Sequence, residues 1–206
     1  MLKQKIIYAF LVISCLLIPA TARAEPDCAI VYGQNWSFLF AAPKKWQVEC
    51  PIRDQSGIVV ALWPEGTPLE KAPGFIYATV SMKGNFSLEQ FAQDELARFR
   101  VDSPNLQVQI DEPIRLADKS RALVRKLSGD QYGNREIIAY ADAGSTYLIF
   151  ALTSPTQEAF DRLLPSFREF VSSVTPMKIE FEGTDKSSNI PIKKGASPKN
   201  DSRPSP

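Results

Sequence analysis

Residues 146–171, TYLIFALTSPTQEAFDRLLPSFREFV, change period in mid-stretch. Thr146 to Thr153 is short, apolar and rich in aromatic and β-branched residues, which predicts a strand. It is the most apolar such run in the chain, so it belongs near the middle of a sheet, covered on both faces. Helical spacing then takes over. Phe160, Leu163, Leu164, Phe167, Phe170, Val171 and Val174 form one apolar stripe. Ser154-Pro155-Thr156-Gln157 reads as its start, with Ser154 at the N-cap, Pro155 at N1 and Gln157 at N3. Pro165 falls inside the stripe and predicts a kink or a restart there. A strand and an amphipathic helix joined this tightly must bury their apolar sides together.

Upstream, hairpin patterns lead into that strand. Lys119–Ser128 and Arg135–Ala141 read as strands separated by a turn, Asp130-Gln131-Tyr132-Gly133-Asn134. Asp142-Ala143-Gly144-Ser145 turns again into Thr146. A short strand near 106–110 precedes them. Ser87-Leu88-Glu89-Gln90 is a capping box opening a helix to about Arg100, with Leu88, Phe91, Ala92, Leu96 and Phe99 on one side. Earlier still, 36–41, 57–63 and 75–83 read as strands, the last alternating Ile76, Ala78, Val80, Met82 against Phe75, Tyr77, Thr79, Ser81. The order β-β-β-α-β-β-β-β-α with hairpins implies an α+β fold with an antiparallel β-sheet.

The chain begins with Lys3 and Lys5, an apolar run over 6–18 and a small-x-small site at Ala22-Arg23-Ala24. This reads as a signal peptide, 1–24, cut after Ala24. The run is shorter than the ~18–20 residues of a spanning helix, so no transmembrane span is expected after cleavage. Two alternatives attach the protein to a membrane: an uncleaved signal, or a lipidated Cys15. Residues 25–175 then form one domain. From 176 the chain is rich in Pro, Ser and Lys, with too little apolar surface to order itself, and reads as a disordered tail over 176–206.

The aromatic strand followed by Pro43-Lys44-Lys45-Trp46 resembles the PsbP-like fold, within it the exported bacterial proteins related to DcrB. The stretch from Tyr140 to Leu148 leading into Leu152-Thr153-Ser154, and the closing helix with Phe160, Phe167 and Val171, carry the same resemblance. It spans roughly 35–174. It implies an antiparallel sheet sandwiched by helices, and binding or assembly roles without catalysis. A photosystem role is not carried over. That branch uses histidines for metal and docking, and this chain has none.

The lack of histidine removes Ser-His-Asp and Cys-His catalysis and histidine metal sites. No cofactor or metal is implied. Ser81-Met82-Lys83 and Lys119-Ser120 are the nearest approaches to a Ser–Lys dyad, and their spacing carries no specificity. Asp94-Glu95 reads as a solvated helix face, and Asp130 to Asn134 lacks the ligands of a calcium loop. Without its leader the chain has 21 basic and 23 acidic residues, which provides no field for nucleic acid. Trp46 follows the Pro43 turn, Trp63 and Tyr77 flank a Pro- and Gly-rich loop, 64–74, and the three mark the expected binding surface.

Removal of the leader takes Cys15 with it and leaves two thiols, Cys28 and Cys50. In an oxidising compartment an even count predicts a structural disulfide between them. Their separation is far from the CxxC of redox motifs, and two cysteines without histidine make a poor zinc site. The expectation is a non-catalytic periplasmic or secreted protein that binds an envelope protein or a small ligand. The alternative is a small-molecule or lipid carrier using an aromatic-lined groove, and behind it a carboxylate-based hydrolase.

Overall fold

A computed structural model describes residues 30–50 and 57–177. The expected signal peptide, Cys15, Cys28 and the chain beyond 177 lie outside the described residues. Among the described residues ten strands and two α-helices follow one another in chain order. A first group comprises β1 (Ile30–Gly33), β2 (Trp36–Leu39), β3 (Trp46–Glu49), β4 (Ile58–Pro64) and β5 (Phe75–Met82). Helix α1 (Leu88–Asp102) leads to β6 (Gln107–Arg115), β7 (Arg121–Ser128), β8 (Arg135–Asp142) and β9 (Thr146–Ser154). Helix α2 (Gln157–Ser173) and β10 (Thr175–Met177) complete the series.

The main sheet is antiparallel, in the order β3-β4-β5-β9-β8-β7-β6, and β9 is its central strand. That is the place its apolar sequence requires: all but Thr153 of its residues are buried. The sheet has a core on each side, and the pleat sorts residues between them. Leu148, Phe150 and Leu152 of β9 join Ile137 and Ala139 of β8, Ile76 and Ala78 of β5, and Phe160, Phe167 and Phe170 of α2. On the other face, Ile149 and Ala151 join Ile138 and Tyr140 beneath Ala92 and Leu96 of α1. The second, three-stranded sheet β1-β2-β10 closes the α2 side, where Phe38 packs edge-on against Phe150. The result is the expected α+β sandwich, a sheet between helices. Among the described residues no helix is long and apolar enough to cross a membrane.

Several local expectations change. Two short strands, β1 and β3, went unread; each has only four residues and takes its stability from a partner. Each adjoins a left-handed residue, Asn35 after β1 and Lys45 before β3, which reverses the chain without glycine. Strand β6 is longer than expected because β7 pairs along most of it, across a register shift between Asp111 and Ile114. Pro176 and Met177, assigned by composition to the tail, pair with β2 in β10.

Both helix caps also differ in detail. Ser87 accepts from the Gln90 amide as expected, but the Gln90 side chain bonds Asp94 instead of reaching back. The cap of α2 is Thr156, whose hydroxyl accepts from the Ala159 amide, and not Ser154. Ser154 is buried at the end of β9 and donates instead to the Pro73 carbonyl. Pro165 neither ends α2 nor restarts it. Its missing hydrogen bond costs about 3 kcal/mol, and the buried Phe160, Leu163, Phe167 and Phe170 on either side offset that.

Candidate functional site

Helix α1 covers only part of its face of the sheet. Beside it the face stays open as a groove of about 960 Å³. Its floor is the pleated surface of β5, β9 and β8, carrying Tyr77, Thr79, Thr153 and Glu136. One wall is the loop between β4 and β5, where Leu69 and Glu70 start a single 3₁₀ turn. The other wall joins the C-terminal half of α1, with Glu95, Phe99 and Asp102, to the β7–β8 turn, with Asp130 and Tyr132.

The loop wall is anchored at both ends. Trp63 donates from its indole nitrogen to the Thr67 carbonyl at 3.0 Å, and Gln47 donates to the same oxygen at 3.2 Å. At the far end Ser154 holds the Pro73 carbonyl at 2.7 Å. Gly74 follows because a Cβ there would lie 2.6 Å from the Thr153 carbonyl and 2.8 Å from Leu163. In the opposite wall Asp130 accepts from the Asn134 amide and side chain, which closes the β7–β8 turn as turn chemistry predicts.

The three aromatic residues picked from the sequence do not converge. Trp46 pairs with Pro64, one position from Trp63, so the pleat sends the two indoles to opposite faces. Trp46 is half-buried against the α2-side core, and Trp63 braces the loop. Tyr77 alone lines the groove, with its ring centroid 5.6 Å from that of Phe75. Cys50 follows β3 and packs against the α2-side core; Cys28 lies outside the described residues. The Ser–Lys pairings are occupied otherwise: Lys83 pairs with Asp142, and Ser120 donates to Asp118 at 2.6 Å.

Two acids outside the expected binding surface, Glu95 and Glu136, line the groove. Asp94-Glu95 is not a uniformly solvated pair: Asp94 bonds Gln90, while Glu95 lines the groove with its Oε2 buried beside the Tyr140 hydroxyl. Burial pushes the Glu95 carboxyl above the usual range, against the effects of the adjacent Tyr140 hydroxyl and the Arg98 charge. Glu136 is also raised by burial. Its cross-strand partner Thr153 acts the other way, and the negative charge of Asp130 adds to the rise. The phenols of Tyr77 and Tyr140 are held above their ordinary value, first by burial and then by these carboxylates. Glu136 had a legible signal, an acid alternating with Ile138 and Tyr140 on one side of an apolar strand.

Glu70, Glu95, Asp102, Asp130 and Glu136 all line the groove, and no lysine or arginine does so among the described residues. Nor is there a cluster of three or more His, Cys, Asp or Glu placed to hold a metal ion among the described residues. The arrangement offers an aromatic and apolar floor with carboxylates dispersed around it.

No family model matches the chain, and no curated protein matches it. Solved structures do. LpqN of Mycobacterium tuberculosis, described as involved in cell envelope biogenesis, matches over 71% of this chain and 87% of its own. The two are 12% identical with a TM-score of 0.50. Cyanobacterial PsbP from Synechocystis sp. PCC 6803 matches over 72% of this chain and 93% of its own, at 13% identity and a TM-score of 0.47. At these identities the likeness is one of fold. The narrower link to DcrB-related proteins is not shown. The chain has an α+β fold, an antiparallel sheet held between helices, and it shares that fold with LpqN.

Proposed function

We propose that this protein is a non-catalytic, exported envelope protein that binds a small molecule in the groove beside α1. The observation that carries the reading is the open part of the α1 face. A sheet face buried elsewhere under a helix is left bare over a space of about 960 Å³, between two walls. That is the size of a ligand site, with an apolar floor and a few placed polar groups. The leader sequence and the two remaining cysteines support export. The fold shared with LpqN, a protein involved in cell envelope biogenesis, is in keeping with that location.

An assembly role with another envelope protein is the second reading. The exposed Ile30 and Tyr32 of β1 favour it, because they leave one side of the small sheet apolar. A carboxylate-based hydrolase is less well supported. Glu95 and Glu136 are both raised by burial, whereas an acid and its nucleophile need environments that push them apart.

Native mass spectrometry of freshly purified protein tests the leading reading. A co-purified small molecule is expected, and it should be lost in a Thr79→Trp variant that fills the groove floor. Retention of the molecule in that variant overturns the groove as its site. A bare protein that instead holds a stoichiometric envelope partner through β1 supports assembly.

A further inference from the structure

We infer that the ligand of this groove is an organic cation, an ammonium group carried on an apolar or aromatic body. This rests on the reading of the groove as a binding site, and adds the chemistry of what enters it.

The lining sets the sign of the charge. Five carboxylates border the groove with no basic side chain among them, so an anionic ligand meets repulsion from every wall. Glu95 lines the groove from α1 with its Oε2 buried. Beside it stands the fully buried Tyr140 hydroxyl, a donor that acts on the Glu95 carboxyl against its burial. A carboxylate charge drawn away from water is costly, and a bound cation lowers that cost.

The distribution of the acids sets the kind of cation. A divalent metal needs several oxygen donors at one point, and the described residues contain no such cluster. The carboxylates stand apart around a floor that carries Tyr77, Phe75, Thr79 and Ile149. A diffuse ammonium matches that spread. Its apolar body covers the sheet face, and the face of an aromatic ring attracts the positive charge.

Isothermal titration of the full exported chain at pH 7.5 tests the inference with two probes of one chain length. These are decyltrimethylammonium, below its micellar concentration, and decanoate. The ammonium should bind about tenfold or more tightly than decanoate. The double variant Glu95→Gln, Glu136→Gln should lose that preference, and Thr79→Trp should weaken the ammonium, with circular dichroism confirming that both variants fold. Decanoate binding equally or better, and still blocked by Thr79→Trp, overturns the cation and leaves the groove standing. Ammonium binding that survives both variants overturns the inference as surface adsorption. Binding of neither probe overturns it too, and the native mass spectrum then decides the groove separately.

Discussion

Ser154, at the end of the central strand, donates a 2.7 Å hydrogen bond to the carbonyl of Pro73, 81 residues earlier in the chain. This bond ties β9 to the loop that walls the groove. Ser154 looks like a helix cap in sequence, yet Thr156 does the capping. The two hydroxyls therefore have separable effects. Ser154→Ala should cost about 1–2 kcal/mol, because it strips a partner from a carbonyl at a buried contact. Thr156→Ala should cost about 1 kcal/mol through the cap. Urea unfolding gives both totals. Hydrogen exchange separates them: the first turn of α2 should exchange faster in Thr156→Ala and not in Ser154→Ala.

The raised carboxyls of Glu95 and Glu136 predict a pH-dependent stability. The groups around Glu95 are Tyr140, Arg98 and Tyr77; those around Glu136 are Asp130, Thr153 and Tyr77. The folded protein keeps protons on these carboxyls at pH values where the unfolded chain has released them. Their contribution is complete below the ordinary carboxylate value of 4.5 and is lost as pH rises through the raised folded values. Glu95→Gln and Glu136→Gln should each stabilise the protein at pH 7.5, by something on the order of 1 kcal/mol. The gain should shrink towards zero at pH 4. Urea midpoints at the two pH values measure this, and an equal gain at both would contradict it.

Asp111 behaves in the opposite sense. It accepts from Arg168 of α2 at 2.7 Å and lies 3.1 Å from Lys126 of β7. Burial would raise its carboxyl, but the Lys126 and Glu112 hydrogen bonds and the charges of Lys126 and Arg168 outweigh that and lower it. Its stabilisation is present above the ordinary value of 3.8 and is lost as pH falls through the lowered folded value. Asp111→Asn should destabilise by about 1–2 kcal/mol near neutral pH, since the partners stay partly solvated. Thermal melts from pH 7 down to pH 2 should show the variant and the parent converging.

The Cys28–Cys50 bridge remains a proposal with a direct test. Cys50 leaves β3 packed on the α2-side core, so a bridge there would fasten the start of the domain to its main sheet. Maleimide should label neither residue in protein purified without reductant. In the chain-entropy model, Cys28→Ser should cost about 3 kcal/mol. Modification of both thiols before reduction would rule the bridge out.

Much of the fold was legible because its signals are local. The apolar run of β9, the alternation of β5 and the stripe of α2 each lie within one short window, and each found its expected place. The four-residue strands β1 and β3 carry no such signal; partners define them. The candidate site was less legible. Trp46, Trp63 and Tyr77 all stand beside Pro-rich loops in sequence, yet only Tyr77 lines the groove. A shift of one position decides the face of a strand, and only pairing determines which face is covered.

The sequence by itself determined that the chain alternates between pleated and helical periods, that histidine chemistry is absent, and that a central apolar strand meets a capped amphipathic helix. Those properties depend on residues a few positions apart. Tertiary structure alone decided that α1 covers only part of its face and that Glu95 and Glu136 border the same open space. Glu136 stands opposite Thr153 and Tyr77 opposite Ala151 through ladder pairs, while Glu95 arrives on a helix inserted between two strands. No local pattern encodes that meeting, because the burial that raises both carboxyls comes from elements that are distant in the chain and adjacent only once the sheet has formed.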